Sequence, residues 1–218
     1  MNFYQWMCEY DQAAHPSHAS GLPTKALGHS LGLFHTSLVE AGLEHEGPEK
    51  SPHLTAQPED INTTHLSHFI VAFLPFNAST EKNEINPILF DVYAFFKWLD
   101  KKNVVHGMTG VAIDTLMKDL CATQERCLEL SHLLDHESGQ VLQEIPEIVD
   151  TLSDLFLVKK IEANLIHLQG TAKDQTVSLR LNPAIMQLVK LNDCIDLVLG
   201  DTSEKWVVLE AGKVFPDA

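Results

Sequence analysis

The chain has 218 residues, 44% of them hydrophobic and 21% charged, which fits one large or two small globular domains and excludes both a large multidomain machine and a disordered chain. Fifteen lysines and arginines face thirty acids, a formal charge of -15, and only Arg126 and Arg180 are arginines. That shortage of cations disfavours a binder of duplex nucleic acid or anionic membrane, because both partners are held by clustered positive charge that releases counterions.

The chain opens on Phe3, Trp6, Met7 and Tyr10, spaced i, i+3, i+4, i+7 behind Asn2, which predicts an amphipathic helix with an asparagine cap. The first lysine is Lys25 and no apolar stretch follows a basic region, so no secretory signal is expected. After Pro16, Gly21 and Pro23, Thr24 is a candidate cap for a second helix, whose Leu27, Leu31, Phe34 and Leu38 make one stripe and which stops near Gly42. From Leu43 to Thr63 the chain holds Gly47, Pro48, Pro52 and Pro58 among polar residues and reads as a long exposed linker.

Leu66, Phe69, Ile70, Phe73 and Leu74 predict a short helix ending before Pro75; this apolar run is far shorter than the roughly 20 residues needed to span a bilayer. Asn86 and Pro87 read as the start of the next helix, since proline at the first position gives up an amide that would be unpaired anyway. It runs through Leu89, Val92, Tyr93, Phe96 and Leu99 to Lys101 and Lys102. Ile113, Leu116, Leu120, Cys127, Leu130 and Leu134 then carry a long helix to about His136, closed near Gly139.

Near residue 155 the hydrophobic period shortens. Phe156, Val158, Leu165, Val177, Leu179, Leu181, Ile195, Leu197, Leu199, Val207 and Leu209 lie in short runs separated by turn-forming clusters, with Asn182 and Pro183 opening one short helix. The expected fold is α+β: a mainly helical N-terminal bundle followed by a small five-stranded antiparallel β-barrel, Src-homology-3-like or similar. Charge follows the same division. Residues 1–63 hold two cations and eight anions, 64–158 six and fourteen, and 159–218 seven and eight. The expected organisation is therefore a His-rich helical segment with its loop over 1–63, an acidic helical domain over 64–154 and the barrel over 155–218.

The tail from Trp206 through Glu210, Gly212 and Phe215 to Pro216, preceded by the helical Phe90–Leu99 segment, resembles that of two-part prokaryotic proteins built from a helical domain and a small C-terminal barrel. The resemblance covers the last two thirds of the chain. It implies the same layout and a bacterial cytoplasmic location, and brings no activity with it. Cys8, Cys121, Cys127 and Cys194 form no Cys-x-x-Cys pair, so reduced thiols and the cytosol are expected.

Twelve histidines are the one compositional excess, eight of them before residue 69. Imidazole is the commonest metal ligand, but these eight show no fixed spacing with cysteine or carboxylate. Glu129, His132 and His136 are the better candidate metal ligands, because i, i+3 and i+7 put a carboxylate and two imidazoles on one helix face. Leu133 stands where a zinc protease helix would carry its general base. Gly28-His29-Ser30-Leu31-Gly32 meets the Gly-x-Ser-x-Gly pattern, but on an expected helix rather than at a strand-to-helix elbow, and reads as a chance match.

No phosphate-binding glycine loop is present. Lys159, Lys160, Lys173, Arg180 and Lys190 form a modest basic set in the barrel, with Phe156, Trp206 and Phe215 as its aromatics; the alternation turns Phe156 inward. The leading expectation is a noncatalytic cytosolic binding or adaptor protein recognising a protein partner, basic in character, without a cofactor or membrane. The alternatives are a divalent-metal enzyme using Glu129, His132 and His136, and single-stranded nucleic-acid binding through the barrel.

Overall fold

A computed structural model describes residues 1–15, 27–43, 56–78, 82–144 and 147–216, and contacts divide the chain into two units, Met1–Cys121 and Ala122–Ala218. In the first unit, helix α1 (Phe3–Ala14) starts as its sequence suggests: the Asn2 side chain accepts from the Gln5 amide at 2.9 Å while the Gln5 side chain accepts from the Asn2 amide at 3.0 Å. Helix α2 (His29–Leu38) starts at Gly28 without a side-chain cap, and Thr24 lies outside the described residues. A wide π turn, Val39–Leu43, ends it where Gly42 adopts φ 81°.

The linker expected over 43–63 is not exposed throughout. Its residues 44–55 lie outside the described residues, but Ala56, Pro58 and Ile61 are buried and Pro58–Asp60 forms one 3₁₀ turn. The Phe3 amide donates to the Ala56 carbonyl at 2.8 Å, anchoring this stretch to α1. Helix α3 (Thr63–Ser67) then runs through a second π turn, His68–Phe73, into α4 (Leu74–Asn77). The helix therefore does not stop before Pro75: proline occupies an early position of α4, after the wide turn has broken the regular hydrogen-bond ladder it would otherwise interrupt.

Helix α5 (Lys82–Lys101) likewise begins before its expected start, with Pro87 inside it. A proline so near the N-terminus forfeits one ladder bond, and the buried stripe of Ile88, Leu89, Val92, Phe95, Phe96 and Leu99 offsets that loss. Aromatic edges knit the core together: Phe3 meets Phe95 at 5.4 Å between centroids, and Phe34 meets Phe69 at 4.9 Å. Beyond α5, the Gly107 amide donates to the Pro58 carbonyl at 3.0 Å, and a side chain at Gly107 would stand 2.4 Å from the Ile61 carbonyl oxygen.

Helix α6 (Ile113–Glu144) passes Gly139 without ending. One glycine costs a helix about 1 kcal/mol, too little to stop one of 32 residues. Its residues up to Cys121 belong to the first unit and the rest to the second. In the second unit Cys127, Leu130 and Leu134 of α6 pack into one core with the barrel.

The barrel begins at Asp150, five residues before the expected change of rhythm: β1 (Asp150–Ile161), β2 (Leu165–Gly170), β3 (Thr176–Arg180), helix α7 (Pro183–Leu188), β4 (Cys194–Asp201) and β5 (Trp206–Phe215). Asn182 caps α7 by accepting from the Ile185 amide at 3.0 Å, as its sequence predicts. The strands close in the order β1-β2-β3-β5-β4, so the helical region followed by a small five-stranded barrel is as expected. The pairing is antiparallel except between β3 and β5, which run parallel and meet at one position, Leu179 opposite Trp206. Helix α7 lies between β3 and β4 in the chain. Phe156, Ile166, Leu168, Val177, Leu179, Ile195 and Leu197 fill the interior, while Leu165 is only half-buried because the inward positions of β2 are Ile166 and Leu168.

Candidate functional site

In the first unit, α5 and the opening turns of α6 border an open groove of about 400 Å³. Asn86, Leu89, Phe90 and Tyr93 line it from α5, and Asp114, Met117, Lys118 and Cys121 from α6. Each set has the spacing i, i+3, i+4, i+7, so each is one helix face. The middle of the groove is apolar. Phe90 is 70% exposed there, although Leu89 and Met117 beside it are buried.

The polar edge has its own order. The Tyr93 hydroxyl donates to Asp114, whose other oxygen accepts from Lys97 Nζ at 3.3 Å. The hydrogen bond from Tyr93, followed by that from Lys97, holds the Asp114 carboxyl below its usual range, and the same bonds raise the pKa of Tyr93 and Lys97. Asp114 thus stays ionised at the groove edge. Leu89 and Tyr93 belong to the apolar run that predicts α5, whereas Asn86 and Phe90 join them as a lining only beside the matching face of α6.

Glu129, His132 and His136 all lie exposed on one face of α6, as their spacing predicts. Among the described residues no group of three or more histidines, cysteines or acids is placed to hold a metal ion. Of the N-terminal histidines, His15 Nε2 lies 3.3 Å from Asp91 Oδ1, an oxygen that also accepts from the Tyr10 hydroxyl at 3.0 Å. His35 packs against Tyr4, His65 accepts from the Asn62 amide, and His68 Nδ1 lies 3.4 Å from Ser37 Oγ. Burial, then the neighbouring His68, lowers the pKa of His65. His29 is exposed, whereas His18, His45 and His53 lie outside the described residues. Ser30 sits in the first turn of α2.

The cysteines are all unbridged, and burial pushes the Cys127 thiol up to about 11, which suits a core position and not a nucleophile. In the barrel, Phe156 is fully buried, as the alternation predicted, while Trp206 is half-buried and lines two surface cavities. No helix among the described residues is long and apolar enough to cross a membrane. No protein family, curated protein or solved structure matches this chain.

Proposed function

We propose that the protein is a noncatalytic binding protein whose helical unit takes the apolar face of a basic amphipathic helix from a protein partner into the α5–α6 groove. The observation that carries this reading is Phe90, 70% exposed on an apolar groove of about 400 Å³. Helix-in-groove recognition uses anchors at i, i+3, i+4 and i+7, and the two lining stripes present that spacing to an incoming helix. Charge supports a basic occupant: residues 1–121 hold seven lysines and no arginine against fourteen acids, and Asp114 stands ionised at the rim. Four unbridged cysteines support a reducing compartment, the cytosol, as the place where this happens.

The test uses two fluorescein-labelled helical peptides of about 18 residues, long enough for the groove. Both carry the same leucine stripe, one with lysines and one with glutamates on the opposite face. The lysine peptide should bind the full chain and the glutamate peptide should not, and Phe90→Asp should weaken binding at least about tenfold, a loss of about 1.4 kcal/mol. Equal binding of both peptides, or no effect of Phe90→Asp, overturns the proposal.

A further inference from the structure

The barrel closes most thinly between β3 and β5. Leu179 opposite Trp206 is their one paired position, and Thr176 to Ser178 pair with β2 alone. Two cavities lie along this seam and share Trp206 as a wall. The first, about 430 Å³, is bordered by Asp150, Thr151, Lys173, Gln175 and Thr176; the second, about 280 Å³, by Glu137, Arg180, Asn182 and Lys205. Trp206 is half-buried, resting on the core, and its indole N–H has no hydrogen-bond partner among the described residues.

The cations at this seam differ from several others in the chain. Lys97, Lys102, Arg126 and Lys160 are each paired with a carboxylate. Lys173, Arg180 and Lys205 are exposed and form no ion pair among the described residues. They also flank the indole on both sides, Lys173 in one cavity and Arg180 with Lys205 in the other. Of the two acids present, Glu137 already accepts from the Asn182 side chain at 2.5 Å, and Asp150 accepts from the Thr151 amide at 2.8 Å.

We infer that the β3–β5 seam binds a short single-stranded nucleic acid, one base stacking on Trp206 while Lys173 on one side and Arg180 with Lys205 on the other take the flanking phosphates. An aromatic face with cations on either side is what a flexible polyanion carrying flat bases requires. A duplex would not fit this requirement, since its bases are already stacked, and the chain's overall acidity opposes long electrostatic footprints. The barrel topology alone assigns no ligand; the unpaired cations and the shared indole do. This site lies in the second unit and does not depend on the groove reading.

The test titrates fluorescein-labelled oligothymidylate of about ten nucleotides into the full chain at low salt, alongside a duplex of the same length and a polyglutamate peptide. Binding of the single strand should weaken with salt, and should fall about tenfold in Trp206→Leu and in the Lys173→Glu, Arg180→Glu pair, with Trp206→Phe retaining most of it. Phe90→Asp should leave it unchanged. Circular dichroism melts of each variant separate lost binding from lost folding; a variant that melts early is replaced by Lys205→Glu, whose side chain is exposed. Absence of binding at low salt, equal binding of polyglutamate or duplex, or indifference to both the indole and the cations overturns the inference.

Discussion

Arg126 and Asp193 face each other in a two-pronged ion pair, Nη1 to Oδ2 at 2.7 Å and Nη2 to Oδ1 at 2.8 Å, with the Asp193 side chain 1% exposed. The same carboxylate accepts from the Lys190 amide at 2.7 Å, and the guanidinium also donates to the Leu188 carbonyl at 2.8 Å. The pair thus fixes α6 to the segment between α7 and β4, inside the second unit. Burial is the largest single influence on Arg126 and opposes its charge, but the hydrogen bonds to Asp193 and the neighbouring charges together outweigh it and raise its pKa. Asp193→Ala should destabilise this unit by about 3–5 kcal/mol, because it strands a buried guanidinium without its partner. Urea unfolding followed by circular dichroism measures this; a loss below about 1 kcal/mol would place the pair among weak surface bridges.

Two glycines predict opposite signs. At Gly107 an added Cβ would meet the backbone oxygens of Ile61 and Glu59 at 2.4 and 2.6 Å, and backbone cannot swing aside. Gly107→Ala should cost about 1–3 kcal/mol or more through overpacking. At Gly139, on α6, nothing lies within 4 Å of the same atom. Gly139→Ala should stabilise by about 0.5–1 kcal/mol. Thermal melts of the two variants beside the parent chain decide both.

Asp154 sets a pH dependence in the barrel. Burial pushes its carboxyl up, but the amides of Ala172, Lys173 and Leu155 and the Thr171 hydroxyl pull it further down, leaving it below the usual range. A carboxylate with a lowered pKa in the fold contributes its full stabilisation above the unfolded value of about 3.9 and loses it as the pH falls through the folded value. Asp154→Asn should therefore lower the melting temperature at neutral pH, and the difference should shrink once the pH drops below about 4. Melts across that range test it; an unchanging difference would mean that Asp154 acts through shape and not charge.

The imidazoles of α6 give a further test. His132 and His136 are exposed, so replacing both with alanine should change stability by no more than about 0.5 kcal/mol. Elemental analysis of chain purified without an affinity tag should find less than about one zinc, iron or manganese per two chains, in keeping with the absence of a three-ligand cluster among the described residues. Stoichiometric metal lost with the two histidines would favour an enzyme over a binding protein.

The helices were legible because their cores repeat every three or four residues: Phe3, Met7 and Tyr10 are all buried, as are Leu31, Phe34 and Leu38. The barrel was legible from the short period, down to the cap at Asn182. Ends were less so, for local reasons. Pro75, Pro87 and Gly139 read as boundaries because propensity penalises them, yet a wide turn and buried stripes outweighed penalties of a few kcal/mol at most. Neither the α5–α6 groove nor the seam could be read at all, since each exists only where residues distant in sequence meet, Phe90 with Met117 and Leu179 with Trp206.

The β3–β5 closure has a dynamic consequence. Breaking a ring of strands at any other joint means unzipping several rungs, because β1 meets β4 at eight paired positions and β2 at five, whereas here a single rung holds. Amide hydrogens near Leu179 and Trp206 should therefore exchange with solvent before those of β1. The cylinder should then open first along this one line, widening into a curled sheet, while the rest of its wall keeps its register.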